Sequence, residues 1–238
     1  MSGHSQFHNI MFRKGAQDAK KAKIFAKIAR EITVATKIGG SDISSNPRLR
    51  AALAMGRENN MPKDNIERAI AKASGPDGET NYDEVRYEGY GPGGVAVIVE
   101  TLTDNRNRTA ADVRSIFSKF GGNLGETGSV SFAFAKKGHL IYKKSIGDFN
   151  KIFEFAIESD ADNIEEFDDF IEITSSVESF ASMREKFIQK FGDPNESGLI
   201  WIPQNYISCA DETKKSLIKM IELLDDNDDV QTVFNNME

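Results

Sequence analysis

Residues 82–122, YDEVRYEGYGPGGVAVIVETLTDNRNRTAADVRSIFSKFGG, predict a strand, a tight turn, a second strand, a loop and a helix, in that order. The run VAVIVE has the β-branched composition of a buried strand. The glycines and proline before it suit a turn between two paired strands. Because this region alone has too few strands to close a sheet, we expect elements from elsewhere in the chain to complete it.

Three glycines in this stretch also match a nucleotide-binding spacing. Gly89, Gly91 and Gly94 satisfy the pattern G-x-G-x-x-G. In a dinucleotide-binding turn a helix follows the glycines, so that its N-terminus meets the pyrophosphate. Here a strand follows them, so we interpret the motif as a hairpin turn and expect no cofactor.

The end of the chain supplies the missing elements. A short strand (NYISC), a helix (DETKKSLIKMIELLDD) and a last strand (VQTVFN) follow residue 204. Between the two halves, the order from residue 138 is strand, helix, strand, strand, helix, strand, which is typical of a ferredoxin-like fold. We therefore predict an α+β domain made of residues 79–136 and 207–238, with an inserted, acidic, ferredoxin-like domain at 137–206.

The residues before this domain, 1–78, are predicted to form a three-helix bundle. The first helix, over 16–37, places isoleucines on one face and lysines largely across from it. The second begins at Asn46, a favourable N-cap, followed by Pro47 at the first helical position. The third has Pro62 in its first turn and ends at Gly75. The fold class is therefore multidomain, with an α part and an α+β part.

Charge is distributed unevenly along the chain. Residues 1–75 carry 14 basic and 6 acidic side chains, whereas residues 137–207 carry 7 basic and 14 acidic ones. The whole chain has a net charge of −7. A cationic end on an anionic protein favours a polyanion partner such as nucleic acid. The alternative is that the basic helices are only well solvated and pair with the acidic remainder.

Composition excludes several other classes. The single cysteine, Cys209, cannot form an internal disulfide, and the longest aliphatic run is far shorter than a membrane span. A basic, amphipathic N-terminus resembles a mitochondrial transit peptide, but the helical pattern continues as a folded unit would, so we expect a cytoplasmic protein. His4 and His8 are four residues apart with no third ligand nearby, so no metal site is expected.

Other interpretations of the same segments stay open. Three helices can form a helix-turn-helix, although no residue pattern indicates which helix would enter a major groove. A basic amphipathic helix can also lie on an anionic membrane. The ten acids between Asp148 and Glu172 can support acid–base chemistry or a divalent metal, but we favour a solvated anionic surface.

Several long segments resemble the YebC family. They include GHSQFHNIMFRKGAQDAKKAKIFAKIAREITVA, NMPKDNIERAIAKASG, YEGYGPGGVAVIVETLTDNRNRTAADVRSIFSKFGGNLGETGSVSFAF and LLDDNDDVQTVFNNME. The resemblance implies three domains: a helical bundle, an α+β domain and a ferredoxin-like domain inserted into the second. The resemblance covers nearly the whole chain, although the inserted segment matches the family in its pattern of elements more than in its amino-acid identities.

The resemblance also implies a non-enzymatic role in gene expression. Members are described as DNA-binding transcriptional regulators, as a mitochondrial translational activator, and as ribosome-associated factors that relieve stalling. Where the family usually has Lys-Trp, this chain has Gln6-Phe7, which removes a cation and an indole from the N-terminal arm. A contact assigned to those two positions in the family therefore does not transfer directly, although Phe7 can still stack on a base.

From charge, position and resemblance together we predict a nucleic-acid-binding regulator with no small-molecule substrate and no membrane contact. Its target is DNA or ribosomal or messenger RNA, with a preference for a ribosome-associated role. The alternatives are a protein-interaction scaffold and a phosphate-directed enzyme. Arg106 and Arg108 are a second contact group, placed just before a helix expected near Thr109. The predicted contacts are His4, Phe7, Arg13, Lys14, Lys20, Lys23, Lys27, Arg30, Arg48, Arg50, Arg106 and Arg108.

Overall fold

The computed structural model describes residues 18–74 and 81–238, which divide into two compact units. One unit holds the described residues up to Ala135 together with Pro203–Glu238, and the other is Lys136–Ile202. The described residues form a mixed α/β protein with seven α-helices and two four-stranded sheets. A helical N-terminal region followed by sheet-containing parts agrees with the predicted fold class.

Three helices form the N-terminal region: α1 (Asp18–Gly39), α2 (Pro47–Glu58) and α3 (Lys63–Ser74). Asn46 joins the first two, because its side chain accepts from the Leu49 amide and donates to the Ala35 and Gly40 carbonyls. It thus caps the start of α2 and the end of α1 at once. Helix α1 packs against both others. The core between them is Ile28, Ile32, Ala35, Leu49, Ala52, Leu53, Met61 and Ala69.

The first sheet combines residues from the middle and the end of the chain. The elements of this part are β1 (Asp83–Tyr90), β2 (Ala96–Thr103), α4 (Arg106–Lys119), β3 (Asn123–Leu124), α7 (Asp211–Asp225) and β8 (Val230–Asn235). The strand order is β3-β1-β2-β8, and each strand runs antiparallel to its neighbours. Strand β8 pairs with β2, so the last residues of the chain complete a sheet that begins at Asp83.

The glycine-rich motif forms the turn between β1 and β2. A 3₁₀ turn over Pro92–Gly94 carries Gly93 at φ 74° and Gly94 at φ 76°, a region that favours glycine. Gly89 lies where β3 approaches β1: a Cβ there would come within 2.5 Å of the Asn123 carbonyl oxygen. The motif is therefore a hairpin turn followed by strand β2.

The second sheet belongs to the Lys136–Ile202 unit. The elements run β4 (Phe134–Lys143), α5 (Phe149–Glu158), β5 (Asn163–Glu166), β6 (Phe170–Ser175), α6 (Val177–Phe191) and β7 (Glu196–Pro203). The strand order is β5-β6-β4-β7. Further 3₁₀ turns lie at Ser131–Ala133 and Lys144–Ile146. The core is Leu140, Tyr142, Ile152, Ala156, Ile171, Ile173, Met183 and Phe187.

The chain enters and leaves this second unit at neighbouring points. The amide of Gln204, just after β7, donates to the carbonyl of Ala133, just before β4 (2.9 Å). Within the described part of the chain, no helix has the length and apolar composition needed to span a bilayer.

Candidate nucleic-acid interface

A buried carboxylate, Asp229, joins the N-terminal helices to the first sheet. It lies in the turn before β8 and is 3% exposed. Arg30 of α1 donates to its Oδ1 at 2.5 Å, and Arg108 of α4 donates to its Oδ2 at 2.7 Å. The hydroxyls of Thr109 (2.7 Å) and Thr103 (3.3 Å) also donate to Oδ2. Two predicted nucleic-acid contacts, Arg30 and Arg108, therefore meet on one acidic side chain.

The surroundings of Asp229 keep it ionised. Burial raises the pKa of its carboxyl, but hydrogen bonds from Arg108, Thr109 and Arg30 outweigh burial and hold the pKa below its usual range. The hydrogen bonds from Arg108 to Asp229 and to Asp104 in turn raise the pKa of Arg108. Both groups are thus charged at neutral pH, and the ion pairs persist there.

This lowered pKa predicts a loss of stability in acid. The stabilisation from the Asp229 carboxylate is fully present above its unfolded pKa of about 3.9 and disappears as pH falls through the lower folded value. We expect the free energy of unfolding, measured by urea titration, to fall less steeply between pH 5 and pH 3 in Asp229→Asn than in the unsubstituted protein. If the free energy of unfolding depends on pH in the same way in the two proteins, the pKa of the Asp229 carboxyl is not lowered by folding.

Further cations of the N-terminal helices also contact carboxylates. The Lys23 ammonium lies 3.3 Å from Asp226, and both side chains are about half exposed. Arg48 of α2 donates to Glu31 at 2.6 Å and to Glu84 of β1 at 2.5 Å, and these bonds raise the pKa of Arg48. Lys23, Arg30 and Arg48 thus help hold the helices against the first sheet. For these three side chains the structure agrees with the alternative interpretation, in which basic residues of the helices pair with acidic residues of the same protein.

The start of α4 differs from the sequence expectation. The helix begins at Arg106 and not near Thr109, because Asn105 is its N-cap and accepts from the Arg108 amide. Arg106 and Arg108 therefore lie in the first turn instead of before it. Arg108 is directed to Asp229 and Asp104, and Arg106 lies 3.9 Å from Asp83.

The remaining predicted contacts have mixed positions. Arg50 donates to the carbonyls of Ile43 and Ser44, and thereby braces the loop before α2. Lys27 is half-buried on α1, and Lys20 belongs to α1 by its backbone. His4, Phe7, Arg13 and Lys14 lie outside the described residues.

A groove between α1 and α3 brings Arg30, a predicted contact, together with two cations that the sequence interpretation did not select, Arg68 and Lys72. Its volume is about 530 Å³, and no acidic residue is among its described lining residues. Arg30, Arg68 and Lys72 provide its charge. Its lining is Ala22, Phe25, Ala26, Ala29, Arg30, Thr33, Met61, Asn65, Arg68, Ala69, Lys72 and Tyr82.

An aromatic ring lies among these cations. The Arg30 guanidinium carbon is 5.4 Å from the centroid of the Tyr82 ring, and the Lys72 ammonium is 5.6 Å from it. Both distances are within the range of cation–π attraction. The spacing of Arg68 and Lys72, four residues apart on a helix, was a usable signal in the sequence. No sequence pattern linked Tyr82 to the groove, because this residue lies outside the three helices.

The chemistry of the groove suits phosphate and a planar ring. Arginine and lysine bind phosphate oxygens, and aromatic side chains stack on unpaired bases. By contrast, the described residues contain no group of three or more His, Cys, Asp or Glu side chains that would hold a metal ion. The groove is therefore the best candidate for a nucleic-acid contact in the described part of the molecule.

Comparison with known proteins gives matches along nearly the whole chain. The family model for the TACO1/YebC protein N-terminal domain matches residues 5–76, and that for the TACO1/YebC second and third domain matches residues 82–237. Among solved structures, the crystal structure of a conserved hypothetical protein from Aquifex aeolicus is similar, with 39% identity and a TM-score of 0.83. That match covers 93% of this chain and 91% of the other.

Proposed function

The chain belongs to the TACO1/YebC family, as its sequence motifs predicted, and on this premise we propose that it regulates gene expression by binding nucleic acid through its N-terminal helices. The family is regulatory and non-enzymatic. The observation that carries the proposal is the groove between α1 and α3, with Arg30, Arg68 and Lys72 and no described acidic lining residue. In a chain of net charge −7, a group of cations with no described acidic neighbour in the groove indicates a polyanionic partner.

The proposal gives the cations two different tasks. Arg30, Arg48 and Arg108 hold the helices in place through half-buried or buried carboxylates. Arg68 and Lys72 then contact phosphates, together with Lys23, whose exposed pair with Asp226 is weak enough for a phosphate to replace. The other predicted contacts are kept in the proposal: Lys20, Lys27 and Arg50 of the helices, and His4, Phe7, Arg13 and Lys14 of the arm.

We favour RNA of the translation machinery over promoter DNA as the target. Lysine and arginine contacts to phosphate position a protein on nucleic acid but do not read its sequence. A groove with an aromatic ring among its cations suits an unpaired base, which structured RNA offers more often than a duplex does. Cosedimentation with ribosomal subunits, set against footprinting on promoter fragments, distinguishes the two targets.

We also infer the finer domain arrangement. The order β4-α5-β5-β6-α6-β7 and the sheet order β5-β6-β4-β7 support a ferredoxin-like fold for the inserted unit. The shared core of α1, α2 and α3 supports a three-helix bundle. The proposed domains are then 1–78, 79–136 with 207–238, and 137–206.

Binding through phosphates predicts a strong response to salt. If about three phosphates are neutralised, the logarithm of the affinity should fall with the logarithm of salt concentration at a slope of about −2 to −3. Fluorescence anisotropy with a labelled RNA hairpin that contains an unpaired loop, measured between about 50 mM and 300 mM salt, tests this slope. An affinity that does not change with salt would exclude the proposed contact.

A further inference from the structure

Helix α5 of the inserted unit presents apolar side chains to solvent. Phe153 is 42% exposed and Ile157 is 61% exposed. They are four residues apart and therefore lie on one face of the helix. The ring of Phe149, one turn earlier, lies 6.2 Å from that of Phe153 and is partly buried against the core of the unit. We call the two exposed residues, Phe153 and Ile157, the α5 stripe.

The α5 stripe is not the part of the helix that the fold uses. Ile152 and Ala156 point into the core between the helices and the second sheet and are fully buried. Single apolar residues on a surface are ordinary, but a contiguous stripe on one helix indicates a contact with another molecule. The protein would bury this area at no cost to its own core.

The segment that carries the stripe is rich in acidic residues. Residues 148–169 contain nine Asp and Glu side chains and one lysine. Three of the acids are paired internally: Asp160 with Lys186, Asp162 with Lys137, and Glu166 with Lys144. Glu154 and Glu158, on α5 itself, are exposed, and no ion pair is seen for them among the described residues.

We propose that the α5 stripe is a docking surface for a basic polypeptide, which places apolar side chains on Phe153 and Ile157 and lysines or arginines beside Glu154 and Glu158. The apolar contact supplies affinity, and the opposite charges select the partner. A polyphosphate or an anionic bilayer is repelled by the same acids. The proposal does not depend on nucleic-acid binding by the N-terminal helices.

A synthetic peptide pair tests the surface. One helix-forming peptide of about 16 residues carries leucines at i and i+4 flanked by lysines, and its control carries glutamates in place of the lysines. We expect the full-length protein to bind the lysine peptide at least tenfold more tightly than the glutamate peptide in fluorescence anisotropy. Equal binding of the two peptides would overturn the proposal.

Two variants separate the stripe from charge alone. Phe153→Ser with Ile157→Ser should weaken binding of the lysine peptide at least tenfold and leave RNA-hairpin binding unchanged. Ile218→Ser is the control, because Ile218 is also 42% exposed but lies on α7. If Glu154→Lys with Glu158→Lys abolishes binding while the serine variant does not, the attraction is charge alone and the proposal fails. Concentration-dependent dimerisation that the serine variant removes would assign the surface to a second copy and likewise overturn it.

Discussion

Asp229→Asn is expected to lower the free energy of unfolding by about 3 kcal/mol, the low end for breaking a buried ion pair. The substitution keeps the shape of the side chain but removes the charge that holds Arg30 and Arg108. Arg30 is 18% exposed in its side chain, so it recovers little hydration in place of the carboxylate. Arg108 is half exposed, which is why we expect the low end of the range.

Urea unfolding followed by circular dichroism measures this effect. Asp226→Asn is a matched control, because Asp226 lies in the same turn region and pairs with Lys23 at the surface. We expect the control to cost less than about 1 kcal/mol, as exposed ion pairs do. If the two substitutions lower the free energy of unfolding equally, the ion pairs of Asp229 with Arg30 and Arg108 do not contribute to stability as their contacts indicate.

Arg68→Glu combined with Lys72→Glu is expected to weaken binding to the RNA hairpin by about 30-fold at low salt, since fewer neutralised phosphates release fewer counterions. Both side chains are exposed on α3 and contribute to the groove. Their replacement leaves the N-terminal core intact, so the fold should be retained. The salt slope should also become less steep, by about 1 for each phosphate that the variant no longer neutralises.

The control for this prediction changes the charge equally elsewhere. Arg114→Glu with Lys119→Glu alters two exposed cations of α4, which are not part of the groove. We expect this variant to bind within about threefold of the unsubstituted protein, because charges far from the phosphates are screened by salt. A comparable weakening in both double variants would mean that total charge, and not the groove, determines binding.

Local signals in the sequence predicted most of the secondary structure. Asn46 and Pro47 marked the start of α2, and the run VAVIVE with its preceding glycines marked the hairpin of β1 and β2. These signals act between near neighbours, so they can be read from the sequence. The start of α4 was wrong by three residues because Asn105 and Thr109 are both good caps, and the sequence does not show which one the helix uses.

The candidate site was harder to predict, because it depends on contacts between distant residues. Arg30 and Asp229 are 199 positions apart, and only the folded chain shows that they pair. A basic helix face looks the same in sequence whether its cations contact a phosphate or a carboxylate of the same protein. The groove was missed for a related reason. Tyr82 lines the groove but follows α3 in the sequence, and helical periodicity relates only residues of the same helix.

The pairing of β2 with β8 also has a consequence for how the protein is made. The carboxylate of Asp229 and the strand Val230–Asn235 leave the ribosome after the residues of α1 and β2 with which they pair. The first sheet and the ion pair with Arg30 therefore cannot be complete until β8 has been made, whereas Lys136–Ile202 is a continuous segment that can fold earlier, while the chain is still attached. A nascent chain halted shortly before residue 229 would display the basic helices without the carboxylate that normally fixes them.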